Sequence, residues 1–137
     1  MTTNKICDQG GKPTVVNIDK LAKMNPNYRT ALWTGEYLQV TLMSIPVGGD
    51  IGLEIHEGLD QFIRIEEGCA EVRLGTCKYG PYETYRVNGN YAVIVPEGTW
   101  HNIINIGRCP LKLYSIYAPP HHPFGTVQKT KSDESTH

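Results

Sequence analysis

The chain has 137 residues with 13 basic and 14 acidic side chains, giving a formal net charge of −1. That length fits one domain with a sizeable core, and the balanced charge argues against a nucleic-acid-binding or anionic-membrane surface, which needs clustered Lys and Arg. No stretch approaches the roughly 18 consecutive apolar residues that span a bilayer, and residues 1–10 lack the apolar run of a secretory signal. The sequence therefore predicts a cytoplasmic protein with neither a nucleic-acid nor a membrane partner.

Composition divides the chain into three parts. Residues 1–12 are polar and rich in glycine, which predicts a flexible N-terminal arm. Residues 13–125 carry the apolar patterning expected of a single β-barrel domain. Residues 126–137 form a polar C-terminal tail, with no signal for order from residue 129 onward.

The four cysteines, Cys7, Cys69, Cys77 and Cys109, are widely spaced and lack the C-x-x-C separation of a zinc knuckle or redox pair. In a cytoplasmic protein they stay thiols, and we expect small, partly buried side chains. A disulfide between Cys69 and Cys77 across a hairpin is the alternative.

A short helix is predicted over residues 17–25, where Asn17 or Asp19 caps the first turn and Asn25-Pro26 ends it. Beyond it, helical periodicity disappears, and short apolar or alternating runs follow, separated by turn residues. These predicted strands cover residues 38–45, 62–67, 70–74, 92–95, 101–106 and 111–117.

Two turn regions complete the pattern. Asn88-Gly89 predicts a hairpin with a type I′ turn, because both central residues of that turn need a positive φ. Residues 75–85 form an inserted loop or an extended hairpin. A succession of about seven to nine short strands with one early helix predicts an all-β antiparallel sandwich or barrel.

Four side chains that can bind a metal lie in two clusters of the sequence. Glu54 and His56 are two positions apart, so they point to the same face if their segment is a strand. Gln61 follows them, and His101 comes much later, directly after Trp100. The four converge if the two clusters face each other across a barrel. Without a metal, the histidines would be core side chains bonded to the backbone, and Glu54 would be a solvent-facing acid.

Alternation along the strand after residue 60 tests which way Gln61 points. Gln61 shares a face with Ile63 and Ile65, and the opposite face carries Arg64 and Glu66. The more polar face should be outward, so Gln61 is predicted to be buried. Burial of an amide is costly unless a metal or a water satisfies it. The same test on the His101 strand leaves its inward face undecided.

The first cluster resembles a motif of the cupin superfamily, G-x5-H-x-H-x3–4-E-x6-G. Residues 48–68 match its spacing, with Glu54 and His56 at the two His positions, Gln61 at the Glu position and Gly68 at the final Gly.

The second cluster resembles the other cupin motif, G-x5-P-x-G-x2-H-x3-N. Pro96, Gly98, His101 and Asn105 match it, whereas Gly89 lies one residue too far upstream. Together the two motifs and the region between them cover about residues 48–107. They are similar to those of small single-domain bacterial cupins of the cupin type 2 class, some of which are named mannose-6-phosphate-isomerase-like.

The resemblance implies a cupin-type antiparallel jelly-roll barrel with a metal site. Where the family offers His, His, Glu and His, this chain has Glu54, His56, Gln61 and His101. Imidazole and oxygen donors suit Mn²⁺, Fe²⁺, Ni²⁺ or Zn²⁺, so one divalent transition metal is the expected cofactor. Gln61 either binds it directly or orients His56 or a water. A pocket without metal is the alternative.

The same resemblance favours a metal-dependent enzyme that acts on a small polar, sugar-like molecule. In the isomerase-type proton transfer expected of it, Glu54 is the catalytic residue, or an ionised water moves the proton. Two alternatives stay open, an Fe-dependent dioxygenase and a non-catalytic module that binds a small ligand or a metal, because one fold hosts many activities.

Two further expectations concern the surface. His121 and His122 lie in a Pro-flanked segment and are expected in a solvated loop rather than at the barrel mouth. The predicted strands over residues 38–45 and 111–117 carry more hydrophobic surface than one barrel interior needs, which predicts a homodimer.

Overall fold

In the computed structural model, which describes residues 6–136, helix α1 spans Ile18–Met24, as the sequence predicts. The side chain of Asn17 caps it by accepting a hydrogen bond from the Lys20 amide at 3.1 Å. This satisfies one of the first-turn amides that have no partner inside the helix. The helix ends at Asn25, before Pro26. None of the helices among residues 6–136 is long and apolar enough to cross a bilayer.

Nine strands follow within the described residues, and a short 3₁₀ helix comes after the last of them. The strands are β1 Arg29–Thr34, β2 Gln39–Ile45, β3 Asp60–Glu67, β4 Ala70–Gly75, β5 Glu83–Val87, β6 Ala92–Val95, β7 Trp100–Asn105, β8 Leu111–Ala118 and β9 Val127–Gln128, and the 3₁₀ helix is Lys131–Thr136. Strands β1, β5 and β9 were not among the predicted ones, and β5 lies partly in the region predicted as an inserted loop or extended hairpin.

The strands form two antiparallel sheets. One has six strands in the order β6-β3-β8-β2-β1-β9, and the other has three in the order β5-β4-β7. They pack as a jelly-roll sandwich whose sheets do not close into one continuous barrel. The prediction of an all-β antiparallel jelly roll with one short N-terminal helix is confirmed.

The space between the sheets is filled by apolar side chains from both of them. Ile63 and Ile65 of β3 are 1% and 0% exposed, Val72 and Ile103 of the small sheet are each 1% exposed, and all four belong to one core cluster. Gln61 is buried on the same face of β3, so the predicted inward face of this strand is confirmed.

Helix α1 covers the outer face of the large sheet. Its Ala22 is fully buried and packs with Leu32, Leu42 and Tyr114 of strands β1, β2 and β8. The surplus hydrophobic surface that suggested a homodimer is therefore partly covered by the chain's own helix. The homodimer stays a prediction.

The predicted hairpin at Asn88-Gly89 is wrong. Strand β5 pairs with β4, and β6 pairs with β3, so the chain passes from one sheet to the other at this turn. The positive φ occurs at Asn90, at 75°, and the Asn90 amide bonds to the Ile65 carbonyl at 2.8 Å. A local turn signal contains no information about which sheet the next strand joins.

The two ends of the described chain are attached to the sheets. Residues 1–5 of the predicted N-terminal arm lie outside the described residues, but the Asp8 carboxylate accepts bonds from the Thr34 amide at 2.9 Å and the Gly125 amide at 2.9 Å. Here the C-terminal segment differs from the predicted unordered tail, because β9 pairs with β1 and the 3₁₀ helix follows it. The boundaries of the predicted domain stay a prediction.

All four cysteines are free thiols, and all are exposed. The expectation that they are partly buried is wrong, because each lies outside the strands. Cys69 sits in the β3–β4 turn, Cys77 in the β4–β5 loop and Cys109 between β7 and β8.

Candidate metal centre

Glu54 is placed by backbone pairing with the edge of β7. The Glu54 amide donates to the His101 carbonyl at 3.0 Å, and the His101 amide donates to the Glu54 carbonyl at 2.9 Å. The segment does not form the strand that would place both side chains on one face; it has an isolated bridge at Glu54, with His56 in a loop. The two sequence clusters are nevertheless joined directly.

A turn at Gly98 brings His56 to the same place. The Gly98 amide donates to the His56 carbonyl at 2.9 Å, and Gly98 has a φ of 75°. This left-handed conformation favours glycine, which has no Cβ to clash. The turn leads directly into β7, so the loop that holds His56 and the strand that holds His101 are fixed relative to each other.

Three side chains converge as a result. One carboxylate oxygen of Glu54 lies 3.3 Å from His56 Nε2 and 3.5 Å from His101 Nε2. The potential ligand atoms of the three residues all lie within 4.8 Å of one another. His101 is 1% exposed and His56 is 9% exposed, so the cluster faces the interior. We name Glu54, His56 and His101 the triad.

The protonation of His101 can be inferred from its second nitrogen. His101 Nδ1 lies 2.9 Å from the Thr99 carbonyl, and a carbonyl only accepts, so Nδ1 carries the proton. In the neutral ring Nε2 then presents a lone pair. Within the part of the chain that the structure describes, this buried nitrogen makes no hydrogen bond. A lone pair beside a carboxylate oxygen is the arrangement that a cation stabilises.

Glu54 stays ionised at neutral pH. Burial alone would raise the pKa of this carboxyl, but hydrogen bonds and positive charge from the facing His101 and His56 rings, in the form that carries a proton on Nε2, outweigh burial and lower its pKa to about 2. In the tautomer with a lone pair on His101 Nε2, a bound cation would have that effect instead. The side chain is 28% exposed. The triad therefore offers a permanent negative charge and imidazole nitrogens to one point.

Gln61 adds an oxygen to the same interior. It is 3% exposed, and its amide nitrogen donates to Ser115 Oγ at 3.3 Å. Its amide oxygen is buried and has no hydrogen-bond partner among residues 6–136. Gln61 and Glu54 line one narrow interior space that has no room for a water-sized group as it stands. Such an oxygen can serve as a further ligand or accept a bond from a bound molecule.

Two histidines that were expected in a solvated loop lie in a loop beside the triad, with His121 exposed and His122 partly buried. The His121 ring is 4.4 Å from the His56 ring, centroid to centroid, and His122 is 5.3 Å from the ring of Tyr117. Their backbone amides donate to the buried Gln39 side chain at 3.1 and 2.9 Å. His121 is solvent-exposed in a loop, as expected, but the loop does not lie away from the site, because the buried Gln39 of β2 fixes it there. Their position just after the last long strand was the available signal.

Tyr117 lies near the end of β8. It is 1% exposed and lines the same space as Glu54 and Gln61, and its ring meets the His56 ring edge-on at 6.0 Å. Burial raises the pKa of its hydroxyl to about 12. Tyr117 is therefore a neutral hydrogen-bond donor at the triad.

Comparisons with known proteins agree with this fold. The matching family model is described as a cupin domain and covers residues 41–117. The chain is 58% identical over 126 residues to the protein YrkC of Bacillus subtilis (strain 168). The aligned region covers 92% of this chain and 68% of that protein. The chain is also 41% identical over 115 residues to the protein L612 of Acanthamoeba polyphaga mimivirus. That aligned region covers 82% of this chain and 69% of that protein.

A solved structure matches along almost the whole length. The crystal structure of BH2720 from Bacillus halodurans superposes with a TM-score of 0.93 and 55% sequence identity, covering 94% of this chain and 98% of that one. None of these three names states an activity. The comparisons establish the family and the fold.

Proposed function

This chain belongs to the cupin family, and on that premise we propose that it is a metal-dependent enzyme with Glu54, His56 and His101 as ligands of one divalent transition metal. Its substrate is a small polar, sugar-like molecule, and the reaction is an isomerase-type proton transfer. The observation that carries the proposal is the single carboxylate oxygen within 3.5 Å of two imidazole nitrogens.

The donor set fits such an ion. Two imidazole nitrogens and a carboxylate oxygen suit Mn²⁺, Fe²⁺, Ni²⁺ or Zn²⁺, and the unpartnered Gln61 oxygen supports a fourth ligand. The bond from His101 Nδ1 to the Thr99 carbonyl orients the ring, as the outer partners of metal-binding histidines commonly do. When bound, a divalent ion polarises a carbonyl or a diol and lowers the pKa of water.

The side chains around the triad have separate roles in the proposal. Tyr117 donates a hydrogen bond to the substrate, because its raised pKa keeps the hydroxyl protonated. His121 packs on His56 and restricts access of water to it. A carboxyl with a pKa of about 2 has little proton affinity at neutral pH, which favours Glu54 as a ligand over Glu54 as a base. The variant Glu54→Gln therefore tests the proposed catalytic role of Glu54 in proton transfer.

Binding without turnover is a second candidate. The interior space beside the triad has no room for a water-sized group as it stands, whereas pockets for drug-sized ligands have about 300–1,000 Å³. That size favours a metal ion with a very small ligand. Both candidates need the same three ligands, so the metal is the first thing to measure.

Metal analysis of the purified protein tests the site. We expect a near-stoichiometric ion in the wild type and its loss in His101→Ala. His122→Ala is the matched control, because His122 packs on Tyr117 outside the triad, and it should keep the ion. Circular dichroism establishes that the variants fold, and equal metal content in the wild type and His101→Ala contradicts the assignment.

Turnover separates an enzyme from a binding module. A panel of small sugars and hydroxy acids, assayed with and without chelator and with an oxygen electrode, covers isomerase and dioxygenase chemistry. We expect turnover that chelation abolishes and that His122→Ala retains. Activity that persists unchanged in metal-free protein counts against a metal-dependent enzyme.

The homodimer and the cytoplasmic location are part of the proposal. Exposed Tyr85, Tyr91 and Ile94 line a groove between the edges of strands β5 and β6, which supports an interface there. Light scattering should give a dimer mass, and a monomer mass across micromolar concentrations would refute it.

A further inference from the structure

Arg29 is a buried guanidinium that the proposed metal chemistry does not use. It lies on β1, is 2% exposed, and its Nη1 donates to the Glu134 carboxylate at 2.9 Å. Nη1 also donates to the side-chain oxygen of Gln128. Burial of a charge is costly unless it is paired, and this end of the guanidinium is well paired.

The opposite edge of the same guanidinium has no oxygen partner. Nε makes no hydrogen bond with any residue that the structure describes. Nη2 meets only the sulfur of Met43 at 3.8 Å, and a thioether is a weak acceptor. Nε and Nη2 are two parallel N–H donors through which arginine binds both oxygens of a carboxylate.

That edge lies at the interior space beside the triad. Arg29 and Met43 both line the space that Glu54, Gln61 and Tyr117 line. This space thus has a guanidinium on its wall together with a potential metal ligand, and it opens to a ligand only when Met43 moves, because as it stands it has no room for a water-sized group. Met43 is an unbranched, flexible side chain, so it can yield to a small ligand at this edge.

We propose that the Nε and Nη2 edge of Arg29 is a carboxylate-binding subsite, and that the substrate of the triad is a small carboxylic acid. Its carboxylate lies on Arg29, and its hydroxyl or carbonyl end reaches toward the triad. The substrate class rests on the proposed function, whereas binding of a carboxylate to Arg29 does not require a metal.

Glu134 balances the charge of Arg29 from the other end. It belongs to the C-terminal 3₁₀ helix, is 27% exposed, and is brought to β1 by a segment whose Lys131 also pairs with Asp50. Removing the Glu134 charge leaves the guanidinium less compensated, so a carboxylate on the opposite edge should bind more tightly. Asp133 carries the same charge one residue earlier and bonds to the Lys129 amide, which makes it the matched control.

The test is a titration of chelator-treated, full-length protein with sodium formate, followed through the ¹⁵N–H signal of Arg29 Nε. Formate should move this signal saturably, and sodium chloride at the same ionic strength should not. Glu134→Gln should bind formate about tenfold more tightly, which corresponds to about 1.4 kcal/mol, whereas Asp133→Asn should bind it as the wild type does.

Three results would overturn the subsite: no shift with formate in either the wild type or Glu134→Gln, the same shift with chloride, or equal tightening by Asp133→Asn. Because chelator is present throughout, failure here leaves the metal assignment standing. Likewise, unchanged metal content in His101→Ala would refute the assignment of the triad as a metal site, and the prediction of formate binding would still stand.

Discussion

Replacing Gln61 with leucine should make the metal-free protein more stable. The Gln61 amide gives one hydrogen bond of 3.3 Å to Ser115, and its buried oxygen has no partner among residues 6–136. Loss of one such bond costs about 0.5–1.5 kcal/mol, whereas an unsatisfied buried polar atom costs about 1–3 kcal/mol. Leucine fills a similar volume without polar atoms, so the expected net effect is a stabilisation of about 1 kcal/mol.

Gln39 provides the matched control, because it is the same residue type with every bond made. It is 0% exposed, and its nitrogen donates to Thr34 Oγ1 at 2.9 Å and to the His122 carbonyl at 2.8 Å. Its oxygen accepts from the amides of His121 and His122. Gln39→Leu should therefore cost about 3 kcal/mol or more.

Urea unfolding in chelator, followed by circular dichroism, measures both free energies. Thermal unfolding should show the same signs, with Gln61→Leu melting higher by about 3–5 °C and Gln39→Leu melting lower. If Gln61→Leu destabilises the protein as much as Gln39→Leu does, the Gln61 oxygen has a partner in solution, and the inference of an open ligand position there is refuted.

The stabilisation produced by added metal then shows whether Gln61 binds the ion. A ligand that binds only the folded state raises stability by an amount set by its concentration and its dissociation constant. Gln61→Leu should lose part of the metal-induced stabilisation if the amide oxygen binds the ion. It should retain all of it if Gln61 only orients a neighbour.

Three further predictions concern the scaffold. Burial would raise the pKa of Asp50, but hydrogen bonds from Lys131 and Asn102 outweigh burial and lower it. The ionised Asp50 side chain therefore stabilises the fold fully above about pH 4, and this stabilisation is lost below that pH. The difference in unfolding free energy between wild type and Asp50→Asn should shrink on acidification, and a constant difference contradicts the pairing. Leu113→Ala, at 1% exposed, should cost about 2–5 kcal/mol, while Val15→Ala, at 100% exposed, should stay within about 0.5 kcal/mol. Equal losses in urea would contradict the packing. Asn17→Ala should cost about 1 kcal/mol through the lost cap, and an unchanged melting temperature would refute that role.

Patterns local to the chain were sufficient for much of the fold. The α1 cap, the positions of most strands and the inward face of Gln61, Ile63 and Ile65 follow from spacing of about 3.6 or 2 residues, which is set by backbone geometry alone. The order and spacing of the two motifs also predicted that His56 and His101 belong together. The cap, the strands and their faces depend on neighbours in sequence, so the sequence by itself determined them, whereas the pairing of His56 with His101 was implied by the resemblance to the cupin motifs.

Only the tertiary structure decided which polar groups meet across long separations. Arg29 and Glu134 lie 105 residues apart in the chain, and the loop of His121 is held over His56 by Gln39 from a strand far upstream. The turn at Asn88-Gly89 crosses between sheets for the same kind of reason. A polar segment has the same composition whether it faces water or a buried partner, and only packing of the sheets determines which partner it finds.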